Sequence, residues 1–149
     1  MTYKINLWYG VVVELLNVHS IINLYRQFDK YKNNSDDDIF AHIYPSIELN
    51  QYKIHKKDNR IIGFSNWAFL NKTEEEYLLK TSEIDCNAWN SGDIVWHMDI
   101  VAINNIREIM DWTKQYFTQQ LGCNQKVKWL RVYDDKVIPK EILTKRHFV

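Results

Sequence analysis

The chain has 149 residues, a length typical of one domain that buries about two thirds of its unfolded surface. Nineteen basic side chains balance nineteen acidic ones, so the formal net charge is zero and no global field attracts nucleic acid or anionic membranes. Hydrophobic residues make up 46% and aromatic residues 14%, which excludes a disordered chain. We therefore expect one globular domain over residues 1–149.

Signals for membranes, metals and export are missing from the sequence. No apolar run reaches the roughly 18 residues that a transmembrane helix needs. Cys86 and Cys123 form neither a metal-binding nor a redox motif. Asn6, Glu14 and Asn17 interrupt the apolar core that an N-terminal signal peptide would require. These observations predict a cytoplasmic protein with no membrane span and no metal site.

The first third of the chain has helical patterns. Apolar residues recur every three or four positions and predict an amphipathic helix from Leu7 to about Tyr31. After a polar loop, Ser35 or Asp36 can cap a short second helix over 38–44. Pro45 is expected to end this helix, because the residue before a proline disfavours helical backbone angles.

The middle of the chain predicts a β-hairpin followed by a helix. Strand patterns over 51–57 and 60–70 are joined by the turn dipeptide Asp58-Asn59. Thr73 and Glu76 have the spacing of a capping box, with Thr73 as the N-cap, and predict the start of a helix.

The strongest strand pattern follows the turn Ser91-Gly92-Asp93. Six of the ten residues over 94–103 are β-branched or aromatic, and the strand is apolar on both faces. Asp99 breaks this pattern, because a buried carboxylate is costly unless another group pairs with it. Either a structural ion pair neutralises Asp99, or the residue belongs to a functional site, where local rules are often broken.

The remaining patterns complete the fold class. Asn104 or Asn105 can cap a helix that Gly122 stops, a strand follows over 126–133, and Pro139 is expected to start a last helix. The order helix, helix, strand, strand, helix, strand, helix, strand, helix predicts an α+β fold with a mostly antiparallel central sheet flanked by helices.

Three blocks of the sequence carry a family resemblance. They are Asp38-Ile-Phe-Ala-His-Ile-Tyr-Pro45, Ser65-Asn-Trp67-Ala68, and Trp89-Asn-Ser-Gly-Asp93 followed by Trp96-His-Met-Asp99. In this order they resemble the bacterial RTX toxin-activating lysine acyltransferases, which fatty-acylate RTX protoxins. The resemblance covers most of the chain and implies an acetyltransferase-like (GNAT-like) fold. In such folds the acyl donor lies across the central strand and the start of the next helix.

The resemblance also implies the substrates. GNAT enzymes that use coenzyme A carry a Gly-rich loop after the central strand, whereas here the junction Ala102-Ile-Asn-Asn-Ile106 contains no Gly. That absence agrees with the family, whose fatty acyl chain comes from acyl carrier protein as a phosphopantetheine thioester, with no bound cofactor. The expected acceptor is the ε-amino group of internal lysines in an RTX protoxin.

A lysine ammonium must lose a proton before it can attack a thioester, and a histidine base suits that task at neutral pH. The resemblance implies an essential pair, an Asp on the central strand, here Asp99, and a His near the end of the first helix. The family's His lies in a Ser-Pro-x-His-Arg pattern that this chain lacks. His19 is the one His of the predicted first helix and is our candidate base.

Two other histidines are weighed against His19. His97 lies two residues before Asp99, so a regular strand would direct both side chains to one face. It can serve as the base or simply pack in the core. His42 lies in the short second helix and is interpreted as structural.

Four residues are candidates for substrate binding. Ser91 and Gly92 are expected to shape the turn beside the site. Trp96 either packs in the core or lines an acyl-chain groove. Arg131 either pairs with Asp99 or contacts the phosphopantetheine arm or the carrier protein.

A basic hairpin offers two interpretations. Its cations are Lys53, Lys56, Lys57 and Arg60. It is either a docking patch for the acidic carrier protein or a solvated strand edge protected from aggregation.

Other functions stay open at this point. A catalytically degenerate binding or chaperone module for a partner protein would explain the missing His pattern, and a GNAT-type acetyltransferase for small amines is a further alternative. Members of the family tend to pair, which leaves a homodimer open.

Overall fold

The computed structural model describes residues 17–133 and 136–144. Within these ranges, two helices precede the first two strands of one five-stranded sheet, one helix lies before and one after the third strand, and the last two strands end the chain order. The helices are α1 (Val18–Arg26), α2 (Asp36–Glu48), α3 (Lys72–Thr81) and α4 (Ile106–Leu121), with a short 3-10 helix at Asp29–Tyr31. The strands are β1 (Tyr52–Lys57), β2 (Arg60–Leu70), β3 (Ile94–Ala102), β4 (Lys126–Tyr133) and β5 (Lys136–Leu143).

The strands follow one another across the sheet in the order β1-β2-β3-β4-β5. All neighbours are antiparallel except β3 and β4, so the predicted mostly antiparallel sheet is confirmed. The parallel pairing joins only Val95–His97 to Val127–Trp129. Beyond His97, β3 continues to Ala102 without further pairing to β4. The sheet therefore opens between these two strands toward the end of β3.

Helices cover both faces of the sheet. Along β2, alternate residues point to opposite faces. Phe64 packs in the core beneath α1 and α2, and Ala68 packs near α3. Trp67 points the other way, into a cluster with Phe117 of α4. No helix among residues 17–133 and 136–144 is long and apolar enough to cross a membrane.

The first two helices differ in their ends from the predictions. Residues 7–16 of the predicted first helix lie outside the described residues, and the described part ends at Arg26 rather than Tyr31. Ser35 caps α2 as predicted, because its Oγ accepts the Asp38 N–H at 3.1 Å. Pro45 does not end α2, which runs on to Glu48. Both Pro45 and Ser46 are buried there, so packing offsets the hydrogen bond that proline cannot donate.

Two further boundaries are corrected. The N-cap of α3 is Asn71 rather than Thr73, because Asn71 Oδ1 accepts the Glu74 N–H at 2.8 Å. The helix predicted from Pro139 is the strand β5, in which Pro139 pairs with Leu130. A proline is tolerated in β5 because this strand lies at the edge among the described strands, where one side needs no ladder.

The backbone around Gly92 leaves no room for a side chain, so a substitution there tests the packing of the turn before β3. A Cβ on Gly92 would lie 2.6 Å from backbone atoms of Leu70 and Asn71. We expect Gly92→Ala to lower the free energy of unfolding by about 1–3 kcal/mol in urea denaturation. The exposed neighbour Asp93 is the control, since Asp93→Ala should change stability by no more than about 0.5 kcal/mol. Equal effects of the two substitutions would contradict the tight packing.

Candidate active site

A break in strand register determines where Asp99 points. Asn66 pairs with Asp99 and Trp67 pairs with His97, so Met98 has no partner on β2. Such a bulge re-aims the side chains on either side of it. His97 packs against Phe117 of α4, with ring centroids 6.1 Å apart, whereas Asp99 faces α1 and α2. The prediction that His97 and Asp99 leave the same face is therefore wrong.

Asp99 meets one histidine and one tyrosine. His42 Nε2 lies 2.7 Å from Asp99 Oδ2, and the Tyr25 hydroxyl donates to the same oxygen at 2.8 Å. The Asp99 side chain is 16% exposed and that of His42 is 30% exposed. Because a carboxylate only accepts hydrogen bonds, this contact assigns the imidazole proton to Nε2. Nδ1 of His42 then carries the lone pair, on a side chain that solvent can reach.

The electrostatics of the pair favour a basic imidazole. Burial opposes the charge of Asp99, but the neighbouring His42 and the Tyr25 hydroxyl outweigh burial and hold the pKa of Asp99 below its usual range. Burial also lowers the pKa of His42, but the Asp99 carboxylate outweighs it and raises that pKa above the ordinary 6.5. Burial, together with Asp99, raises the pKa of Tyr25 well above 10, so its hydroxyl remains a donor.

Asn66 connects the strand of Asp99 to the helix of His42. It is fully buried, its Oδ1 accepts the Asp99 N–H at 2.9 Å, and its Nδ2 donates to Ser46 Oγ at 3.2 Å. Ser46 lies four residues after His42, about one helical turn, on α2. Asn66 therefore holds the bulge of β3 in a fixed position relative to α2.

The structure does not bring His19 to Asp99. His19 is exposed on α1, and the described hydrogen bonds of Asp99 go to Tyr25, His42 and Asn66. No described contact joins His19 to Asp99, so a catalytic role for His19 stays a prediction. His42 occupies the place beside Asp99, although its position in the sequence predicted a structural role. The available signal was that His42 lies inside one of the blocks that carry the family resemblance.

Arg131 and Trp96 are not among the described partners of the pair. Arg131 is exposed on β4, and the described hydrogen bonds and ion pairs of Asp99 do not include it. Trp96 is 1% exposed, and its Nε1 donates to Glu75 at 2.9 Å. Trp96 thus packs in the core, and Asp99 is paired without Arg131.

Ser91 and Gly92 lie at the start of β3 rather than beside Asp99. Both backbone N–H groups donate to the Phe69 carbonyl, and Ser91 Oγ accepts the Asn71 N–H at 3.1 Å. Their described contacts fix the turn that launches β3, and their predicted role in substrate binding stays a prediction. In the ranges 17–133 and 136–144, no three His, Cys, Asp or Glu side chains could jointly hold a metal ion.

His97 predicts how stability depends on pH. Its Nε2 is buried with no hydrogen-bond partner among the residues that the structure describes, and burial lowers its pKa to about 4. In the unfolded chain the pKa is near 6.5, so the unfolded state binds more protons between pH 6.5 and 4, and stability falls as the pH falls through that window. We expect His97→Leu to reduce this loss by about 1–3 kcal/mol in denaturation curves at pH 7 and pH 4.5.

The exposed His19 provides the control for this measurement. We expect His19→Leu to leave the difference in stability between the two pH values within about 0.5 kcal/mol of wild type. A His97→Leu chain that loses as much stability on acidification as wild type would show that His97 is not buried in its neutral form.

A known protein family matches most of the chain. Residues 15–142 match the family model for HlyC, the RTX toxin acyltransferase family. The chain belongs to this family. The sequence-based family prediction is thereby confirmed.

Curated relatives match parts of the chain, and the matches span 36% to 66% of the relatives' own length. The leukotoxin-activating lysine-acyltransferase LktC of Pasteurella haemolytica-like sp. is 33% identical over 85 residues, 51% of this chain and 52% of LktC. The RTX-I toxin-activating lysine-acyltransferase ApxIC of Actinobacillus pleuropneumoniae is 39% identical over 61 residues, 40% of this chain and 36% of ApxIC. The uncharacterized protein sll0720 of Synechocystis sp. is 37% identical over 101 residues, covering 65% of this chain and 66% of that protein.

A solved structure has the same fold. The loading GNATL domain of CurA from Lyngbya majuscula superposes with a TM-score of 0.52 at 14% identity, over 82% of this chain and 66% of that domain. The predicted GNAT-like α+β fold is confirmed. At 14% identity, this match shows a shared fold alone.

Proposed function

We propose that this chain is a protein-lysine acyltransferase that moves a fatty acyl chain from acyl carrier protein to internal lysines of an RTX protoxin. The observation that carries the proposal is the His42–Asp99 pair, in which the carboxylate accepts a hydrogen bond from the imidazole. The pair lies where β3 no longer pairs with β4. Relatives named as RTX toxin-activating lysine acyltransferases support the acceptor class. The cytoplasmic location and a homodimer stay predictions from the sequence.

The pair suits the proton transfers of this reaction. His42 Nδ1 would take a proton from the lysine amine as the amine attacks the thioester carbonyl and forms the new amide bond. The carbon–sulfur bond then breaks, and the phosphopantetheine thiolate leaves and takes that proton from His42. Asp99 would stabilise the imidazolium between these steps and hold the ring with Nδ1 outward. Tyr25 would keep Asp99 oriented through its hydrogen bond.

The donor can approach along the opening between β3 and β4. The two strands stop pairing after His97 and Trp129, and Asp99 lies two residues past that point. An extended arm with amide groups can pair with an unpaired strand edge. The junction after β3 has no Gly-rich loop for a pyrophosphate, which favours a donor carried by a protein over coenzyme A.

Mass spectrometry of a co-expressed protoxin fragment tests the proposal. The fragment should be one that another member of the family acylates, with acyl carrier protein present. Wild type is expected to add a fatty acyl group to its lysines, and Asp99→Ala should abolish the modification. No modification by folded wild type would overturn the enzyme proposal, and retained binding of the fragment would then favour the binding or chaperone module.

A further inference from the structure

An apolar surface pair lies where β3 runs into α4. Ile103 is 63% exposed and Ile106 is 53% exposed, although both are large aliphatic side chains. They flank the turn that leads from the strand of Asp99 into the helix. Exposed aliphatic side chains next to one another often mark a contact surface for a partner.

Basic side chains surround this apolar pair. The segments 53–60 and 103–108 contain five basic and two acidic residues, in a chain whose net charge is zero. The exposed cations nearest the hairpin tip and the start of α4 are Lys56, Lys57, Arg60 and Arg107. We call these four cations, together with Ile103 and Ile106, the junction patch.

Contacts between the hairpin and α4 hold the junction patch together. Lys57 Nζ lies 3.9 Å from Glu108 Oε1 in the first turn of α4, and Lys53 Nζ lies 5.5 Å from the centre of the Trp112 ring. A Cβ on Gly63 would clash with Ile109 Cδ1, so β2 and α4 approach closely beneath the patch. The hairpin and the helix therefore present their cations on one surface.

The junction patch lies at the mouth of the opening that leads to Asp99. Ile103 is four residues after Asp99, about 13 Å along an extended strand. The ladder between β3 and β4 is broken over this whole distance. A thioester on a flexible arm can therefore reach Asp99 and His42 while its carrier rests on the surface.

We propose that the junction patch is the docking surface for the acyl carrier protein, which would place acidic side chains on the four cations and apolar side chains on Ile103 and Ile106. This inference rests on the proposed function. Charge complementarity favours an acidic protein, and charged rims mainly steer association and set its salt dependence. The junction patch lies beside the opening through which the phosphopantetheine arm would enter. A carrier bound to cations elsewhere on the surface would not place its thioester near Asp99.

Charge reversal tests the docking surface. The test variant combines Lys56→Glu with Arg107→Glu, and the control combines Lys126→Glu with Lys140→Glu, which lie on β4 and β5 beside the paired part of β3 rather than at its open end. Binding of acyl carrier protein in its thiol form is measured by titration calorimetry, so that no catalysis is required. We expect the dissociation constant to rise at least tenfold in the test variant, and less than twofold in the control. For wild type, it should also rise with salt.

Three outcomes separate the inference from the function on which it rests. Test and control variants that bind the carrier protein equally well would overturn the docking surface, even if wild type acylates lysines. Binding of wild type to anionic phosphatidylglycerol vesicles, lost in the test variant while binding to the carrier persists, would assign the patch to a membrane instead and overturn the inference. Ile103→Ser tests the docking surface independently of charge. Loss of carrier binding in this variant, with thermal unfolding unchanged, would support the inference.

Discussion

Replacing His42 by alanine is expected to lower the rate of lysine acylation by about 10²–10⁴-fold, the usual contribution of a general base. The physical reason is that Nδ1 of His42 carries the lone pair that accepts the proton of the attacking amine, while Nε2 is held by Asp99 at 2.7 Å. The measurement is single-turnover acylation of a protoxin fragment with excess enzyme, so that product release does not mask the chemical step.

His19→Ala is the matched control for this result. Both residues are histidines on the first two helices, but His19 is exposed and has no described contact with Asp99. We expect the His19 variant to retain the wild-type rate within about twofold. A large loss in His19→Ala with little loss in His42→Ala would contradict the assignment and restore the base implied by the family resemblance.

Replacing Asp99 by asparagine is expected to lower the acylation rate by about 10²-fold or more, and to move its pH dependence. The rate of wild type should rise with pH as His42 becomes neutral, through a pKa that Asp99 raises above 6.5. Asparagine removes the charge that stabilises the imidazolium, so the pKa of His42 falls and the rising limb moves to lower pH. The measurement is the pH–rate profile between pH 5 and pH 9.

Tyr25→Phe supplies a graded comparison. It removes one hydrogen bond to Asp99 and leaves the carboxylate charge in place. The rising limb should therefore move less than in Asp99→Asn. The contrary outcome is that Asp99→Asn lowers the rate while the rising limb of its pH–rate profile coincides with that of wild type. In that case the Asp99 carboxylate does not raise the pKa of a catalytic base, and its role is structural.

Local rules identified most of the strands from the sequence. Asp58 and Asn59 have φ values of 52° and 64°, the backbone that tight hairpin turns demand and that short polar side chains tolerate. Asp99 was identified because a carboxylate in an apolar strand needs a partner. These features depend on neighbouring residues along the chain, so they can be predicted from a single sequence.

Features that depend on tertiary packing could not be predicted in the same way. Pro45 lies within α2 because the surrounding core stabilises the helix, and Pro139 lies in β5 because that strand is at an edge. The bulge at Met98 is visible only when β2 and β3 are paired, and it separates His97 from Asp99. His42 was missed for the same reason, since its partner is 57 residues away in the sequence.

Nuclear magnetic resonance titration of the His42 ring nitrogens tests the His42–Asp99 pair most directly. With nitrogen-labelled histidine, wild type should place the proton of neutral His42 on Nε2 and titrate with a pKa above 6.5, and Asp99→Asn should lower that pKa. A proton on Nδ1, with a pKa that Asp99→Asn leaves unchanged, would contradict the proposed pair.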